Sequence, residues 1–133
     1  MNAMPMDPAD VPLNVYMHHL EHGRLAYQYS PAAGRAVFPP RLVCPFTGSD
    51  RFEWRISRGF GTVYSLTRIA PKELAPYCVA LVDLDEGFRM MSRILPSGPR
   101  EPRIGDRVRV KVGRLFDQGE MLPLFELEDA GHA

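Results

Sequence analysis

The clearest alternation in the chain is at residues 107–112, where Val108, Val110 and Val112 interleave with Arg107, Arg109 and Lys111. A repeat of two places the valines on one face of a strand and the cations on the other. Upstream, Gly59-Phe60-Gly61 opens a run through Ile69 that is rich in β-branched and aromatic residues. This predicts a strand whose glycines let it bend or let another backbone come close. Tyr77 to Leu84 is almost continuously apolar, the pattern of a strand buried on both faces. Asp83-Leu84-Asp85-Glu86-Gly87 reads as a turn, with Phe88 to Leu95 returning as the hairpin partner. Asp117 to Glu120 make a further turn, and Met121 to Leu127 form the last strand, with Phe125 and Leu127 inward. Five strands in about 75 residues, with no periodic helix between them, predict a small barrel of the OB-fold type.

Before the barrel the pattern changes twice. Leu13, Tyr16, Met17 and Leu20 recur at helical spacing, predicting one short amphipathic helix between Leu13 and Leu25, with Gly23 as its stop. Residues 29–50 carry Pro31, Gly34, Pro39, Pro40, Pro45 and Gly48, which suits tight turns better than a helix or a long strand. A piece this small usually needs a metal or a neighbour to hold it. The first dozen residues read as a loose arm.

Composition narrows the class. The chain has 133 residues, 45% hydrophobic and 24% charged, the balance of one globular domain. Sixteen basic and sixteen acidic residues cancel, against the basic character of a non-specific nucleic-acid binder. No apolar run approaches the ~18 residues of a membrane helix, and no signal pattern opens the chain, so a cytoplasmic protein is expected. Neutrality hides unevenness: residues 24–68 hold seven Arg against Asp50 and Glu53, enough for a local anion site.

Few residues suggest catalysis. Cys44 and Cys78 are the only thiols, and Cys78 lies in an apolar strand where it is expected to be inert. Asp83, Asp85 and Glu86 belong to a hairpin turn, whose chemistry explains them. Gly59-Phe60-Gly61 leads into a strand rather than a helix and is no phosphate loop. Arg89 and Arg93 alternate on the third barrel strand without an aromatic between them, which leaves nucleic-acid binding as a weaker alternative.

Phe38-Pro39-Pro40-Arg41 and Cys44-Pro45, followed by Gly59-Phe60-Gly61-Thr62-Val63-Tyr64-Ser65, Pro76-Tyr77, Leu84-Asp85-Glu86-Gly87, Ile104-Gly105 and Leu122-Pro123-Leu124-Phe125, resemble the acyl-CoA-associated family with a rubredoxin-like zinc ribbon and an OB-fold, domain of unknown function 35. The resemblance spans residues 13–127. It implies an N-terminal arm and helix at 1–28, a ribbon at 29–51, a five-stranded barrel at 52–128 and a tail at 129–133. Where that family places four zinc cysteines, this chain has Ser30, Ala33, Cys44 and Thr47. One thiolate cannot supply a tetrahedral zinc site, so a zinc-free ribbon is expected, with no cofactor. His18, His19 and His22, with His18 and His22 four apart on one helix face, are a remote substitute with Cys44.

The resemblance further implies a non-catalytic accessory subunit, or acyl-CoA-binding module, working beside a thiolase-like, hydratase or aldolase enzyme, with room for a homo-oligomer. Arg41, Arg55, Arg58 and Arg68, with Phe60 and Tyr64, are the candidate ligand contacts, because guanidinium groups suit the phosphates of CoA.

Overall fold

The computed structural model describes residues 11–128; the expected arm before residue 11 and the tail at 129–133 lie outside them. A helix, α1 (Pro12–Glu21), leads into eight strands: β1 (Ala26–Ser30), β2 (Arg35–Val37), β3 (Glu53–Ile56), β4 (Phe60–Ile69), β5 (Tyr77–Leu84), β6 (Arg89–Ile94), β7 (Arg107–Gly113) and β8 (Leu122–Leu127).

Pro12 sits in the first turn of α1, where its missing N–H costs nothing. The helix stops short of Leu25. Gly23 adopts φ 76° and donates to the Leu20 carbonyl, while Arg24 donates to that of His19, closing the end with a left-handed glycine. Leu25 is thereby released into the core ahead of β1. Tyr16 and Leu20 are buried, whereas Leu13, expected on the same face, is exposed.

β2, β1 and β3 form an antiparallel three-stranded sheet in that order. It takes in residues on both sides of the 29–51 segment. The alternation of a half-buried strand does not mark β1, because Ala26, Tyr27 and Gln28 are all buried. Gln28 holds the β2–β3 loop from within: its Nε2 donates to the Arg41 carbonyl at 2.9 Å, and the Arg41 N–H donates to its Oε1 at 2.7 Å.

The remaining strands close a barrel in the order β4-β5-β6-β8-β7. β7 returns to β4 at Phe60↔Arg109, and β6 meets β8 in parallel at Ile94↔Phe125. Val63, Val82, Val108, Phe125 and Leu127 fill it, each 2% exposed or less. Gly61 permits the close crossing of β4 and β5, since a Cβ there would lie 2.7 Å from the Asp83 carbonyl oxygen. The expectation that β5 is buried on both faces is corrected. Ala80, Val82 and Leu84 point inward, but Tyr77, Val79 and Leu81 on the outer face stay half-exposed.

Barrel, helix and ribbon share one core. Its spine is aromatic: Tyr16 meets Phe38 edge-on at 5.7 Å, Phe38 stacks on Phe88 at 5.1 Å, and Phe88 stacks on Tyr27 at 4.9 Å.

Candidate functional site

Two features of the ribbon bear on function. The first is its knuckle. Ser30 is fully buried and Cys44 is 1% exposed. The Ala33 N–H donates to Ser30 Oγ at 3.3 Å, and the loop ties itself off with Cys44 N–H to Ser49 O and Gly48 N–H to Cys44 O, both 2.7 Å. Burial raises the Cys44 pKa, but hydrogen bonds from the Ser30 and Thr47 hydroxyls and from the Phe46 and Thr47 backbone N–H groups outweigh it and draw the thiol down to about 7. Ser30 and Thr47 thus share hydrogen bonds with Cys44, and Ala33 joins Ser30 through its backbone N–H. With one sulfur, two hydroxyls and a methyl, that set does not fit zinc. The histidines do not complete it. The His18 and His22 rings lie 4.5 Å apart and His22 Nδ1 bonds the His18 carbonyl, but Cys44 joins them in no metal-competent group among the described residues.

The second feature is a cleft of about 420 Å³ between ribbon and barrel. β2 and its exit form one wall and the β5–β6 hairpin the other, with Phe38 and Phe88 among the lining residues. Two arginine–aromatic stacks flank it. From the ribbon, the Arg35 guanidinium lies 4.0 Å from the centroid of Phe46. From the barrel, Arg89 lies 3.5 Å from that of Tyr64 while pairing with both Asp83 oxygens at 2.6 and 3.1 Å. Arg35 makes no ion pair among the described residues.

The six candidate contacts are dispersed. Tyr64 stands beneath Arg89, which lines the cleft, but does not line it itself. Arg41 is exposed, with its backbone clamped by Gln28. Arg55 stacks on Tyr29 at 3.6 Å and pairs with Glu53 at 2.8 Å. Arg58 is exposed and its N–H donates to Glu86 at 2.9 Å. Phe60 is half-buried at the β4–β7 seam. Arg68, at the far end of β4, pairs with Glu101 at 2.7 Å. Arg35, Phe46 and Phe88 go unmarked in the sequence as candidate contacts, although Phe38 belongs to the Phe-Pro-Pro-Arg element.

The hairpin carboxylates are each engaged. Asp83 holds Arg89. The Arg107 guanidinium grips Asp85 at 2.8 and 2.7 Å and keeps its carboxyl below the usual range. Glu86 accepts from Ser57 Oγ at 2.7 Å as well as from Arg58. Turn chemistry is thus only part of their role. Arg89 and Arg93, with no aromatic between them in sequence, meet aromatics from other strands: Arg89 meets Tyr64 of β4, and Arg93 lies 3.7 Å from the centroid of Tyr77 of β5.

Comparison with known proteins adds a lineage. The family model for the C-terminal OB-fold domain of ChsH2 matches residues 54–113. A DUF35 domain-containing scaffold protein of Methanothermobacter thermautotrophicus is 33% identical over 93 residues, 65% of this chain and 70% of that protein. A probable enoyl-CoA hydratase alpha subunit of Thermomonospora curvata is 35% identical over 86 residues, which are 62% of this chain and 27% of that protein. Among solved structures, a chain of the Ltp2–ChsH2(DUF35) aldolase superposes with TM-score 0.73 at 28% identity, covering 96% of this chain and 98% of that one. A DUF35-family protein of unknown function from Sulfolobus solfataricus shares the fold, with TM-score 0.62 at 15% identity over 86% of this chain and 83% of that one.

Proposed function

The chain belongs to the DUF35 family, and on that premise we propose that it is a non-catalytic accessory subunit of an acyl-CoA enzyme assembly, with the ribbon–barrel cleft receiving part of the CoA moiety. The observation that carries this reading is the end-to-end likeness to a chain of the Ltp2–ChsH2(DUF35) aldolase. Relatives described as scaffold proteins and one described as a probable enoyl-CoA hydratase subunit support it.

The chemistry is consistent. CoA joins anionic phosphates to a flexible arm. Arg35 offers a guanidinium with no acidic partner among the described residues, and the lining residues Phe38 and Phe88 offer apolar surface beside it. Arg35 and Arg89 line the cleft and are the proposed contacts, with Tyr64 stacked behind Arg89. Arg41, Arg55, Arg58 and Phe60 do not line the cleft, and Arg68 lines a separate pocket near Pro76.

Catalysis is assigned to the partner. Cys44 is buried in its knuckle, and Asp83, Asp85 and Glu86 are all held by arginines or by the Ser57–Arg58 segment. That leaves the cleft without an acid–base pair of its own. No described helix is long and apolar enough to cross a membrane; action in the cytoplasm, beside a thiolase-like, hydratase or aldolase subunit, belongs to the same proposal.

The test is to tag the protein in its source cells, purify it at moderate salt, and identify what co-elutes by mass and by activity on acyl-CoA esters. A stoichiometric catalytic subunit is expected. A lone protein that binds CoA would replace this reading with a free acyl-CoA carrier. Co-eluting nucleic acid, released as salt rises, would favour the single-strand binding of other OB-folds.

A further inference from the structure

β7 and β5 treat their outer faces in opposite ways. The outward side chains of β7 are Arg107, Arg109 and Lys111, as expected of a face left in water. Those of β5 are Tyr77, Val79 and Leu81 before Asp83 ends the strand. The register sets Leu81 opposite Met91 on β6 and Val79 opposite Thr67 on β4, with Tyr77 opposite Ile69. Met91 is 68% exposed, Tyr64 52% and Ile69 37%. The result is an apolar strip across three paired strands, roughly 20 Å long from strand geometry, on one side of the barrel. Its head is the cleft, because Arg89 and Asp83 line the cleft and also bound the strip.

We propose that this strip is where the catalytic partner subunit docks; the inference rests on the accessory-subunit reading above. The occupant is an apolar protein surface that brings a carboxylate to Arg93. Charge commits the choice. Arg89 is neutralised by Asp83, but Arg93 stacks on Tyr77 and has no acidic partner among the described residues. The strip therefore carries a net positive charge. A second copy laid on it would set like charge against like, whereas a partner carboxylate would complete it. Single-stranded nucleic acid fits less well. The centre of the strip is Leu81 and Met91 rather than an aromatic platform, and Tyr64 and Tyr77 are each covered by a guanidinium. Docked this way, the partner would reach the cleft at the head of its own contact surface.

The experiment compares the tagged full chain with its Met91→Glu, Arg93→Glu and Lys111→Glu variants, purified from the source cells, with thermal melting confirming that each folds. Wild type and Lys111→Glu are expected to retain a stoichiometric catalytic subunit, identified by mass and by acyl-CoA activity. Met91→Glu and Arg93→Glu are expected to lose it at least tenfold. Undiminished recovery with both strip variants would overturn the docking face and leave the accessory role standing. No partner with wild type would overturn the role itself, and this inference with it. Binding of a labelled oligothymidylate by the purified chain, abolished in Met91→Glu, would overturn it in favour of nucleic acid.

Discussion

Ser30, Thr47 and two backbone N–H groups direct their hydrogen bonds to the Cys44 sulfur, and this cluster occupies the place where the family resemblance puts four metal ligands. Polar satisfaction then does locally what coordination would do elsewhere. Melting of the purified protein is expected to be the same with and without a strong chelator, and elemental analysis is expected to find no stoichiometric zinc. A melting temperature that falls on chelation would contradict this. The Cys44 pKa, depressed to about 7, also gives stability a pH dependence. The folded state holds the thiolate more readily than the unfolded chain, so the thiolate's contribution is complete above the ordinary thiol range. It is lost as pH falls through about 7. Urea midpoints are expected to rise from pH 7 to pH 9, and Cys44→Ser to flatten that rise. At the cleft, Arg35→Ala removes the cation without an acidic partner among the described residues and is expected to weaken CoA binding about tenfold, read by calorimetry.

Elements meet at a few defined joints. Glu86, at the tip of the β5–β6 hairpin, accepts from Ser57 and Arg58 on the segment that leaves the ribbon, and Ser57 Oγ in turn accepts from the Gly59 N–H at 2.9 Å. Glu86→Ala strips both donors of their carboxylate and is expected to cost about 1–3 kcal/mol in urea unfolding. Gly61→Ala drives a methyl against the β5 backbone and is expected to destabilise by a similar amount, about 1–3 kcal/mol. The strands differ in how openly they announce themselves. β7 alternates because one face is core and the other water, and its pattern reads directly from Val108 and Lys111. β5 reads as doubly buried because its outer residues Tyr77, Val79 and Leu81 are apolar too. The chain itself buries only one face of β5, and the apolar surplus on the other is what the proposed docking face would use. β1 escapes notice because Ala26, Tyr27 and Gln28 are all buried, and Gln28 is polar inside.

At the scale of the whole molecule, the five barrel strands were legible from alternation, turns and glycines, and the four knuckle positions came from the family resemblance alone. The closure order β4-β5-β6-β8-β7, with its parallel β6–β8 contact, has no local signal. The cleft was not legible either. Its walls come from residues 35–46 and 83–89, two stretches whose local patterns announce only a loop and a hairpin. The charge excess of residues 24–68 spans Arg35 at the cleft as well as arginines that lie away from it. In space, Arg55 and Arg68 are taken up by Glu53 and Glu101, while Arg35 keeps its charge free of acids among the described residues. In the proposed assembly this chain positions substrate and partner while another subunit does the chemistry. This division of labour is tested most directly by assaying acyl-CoA turnover with the purified chain alone, with the co-purified subunit alone, and with the two recombined. No turnover by the chain, weak turnover by the subunit, and a gain of at least tenfold on recombination are expected. Turnover by the chain alone, at a rate matching the complex, would contradict that division.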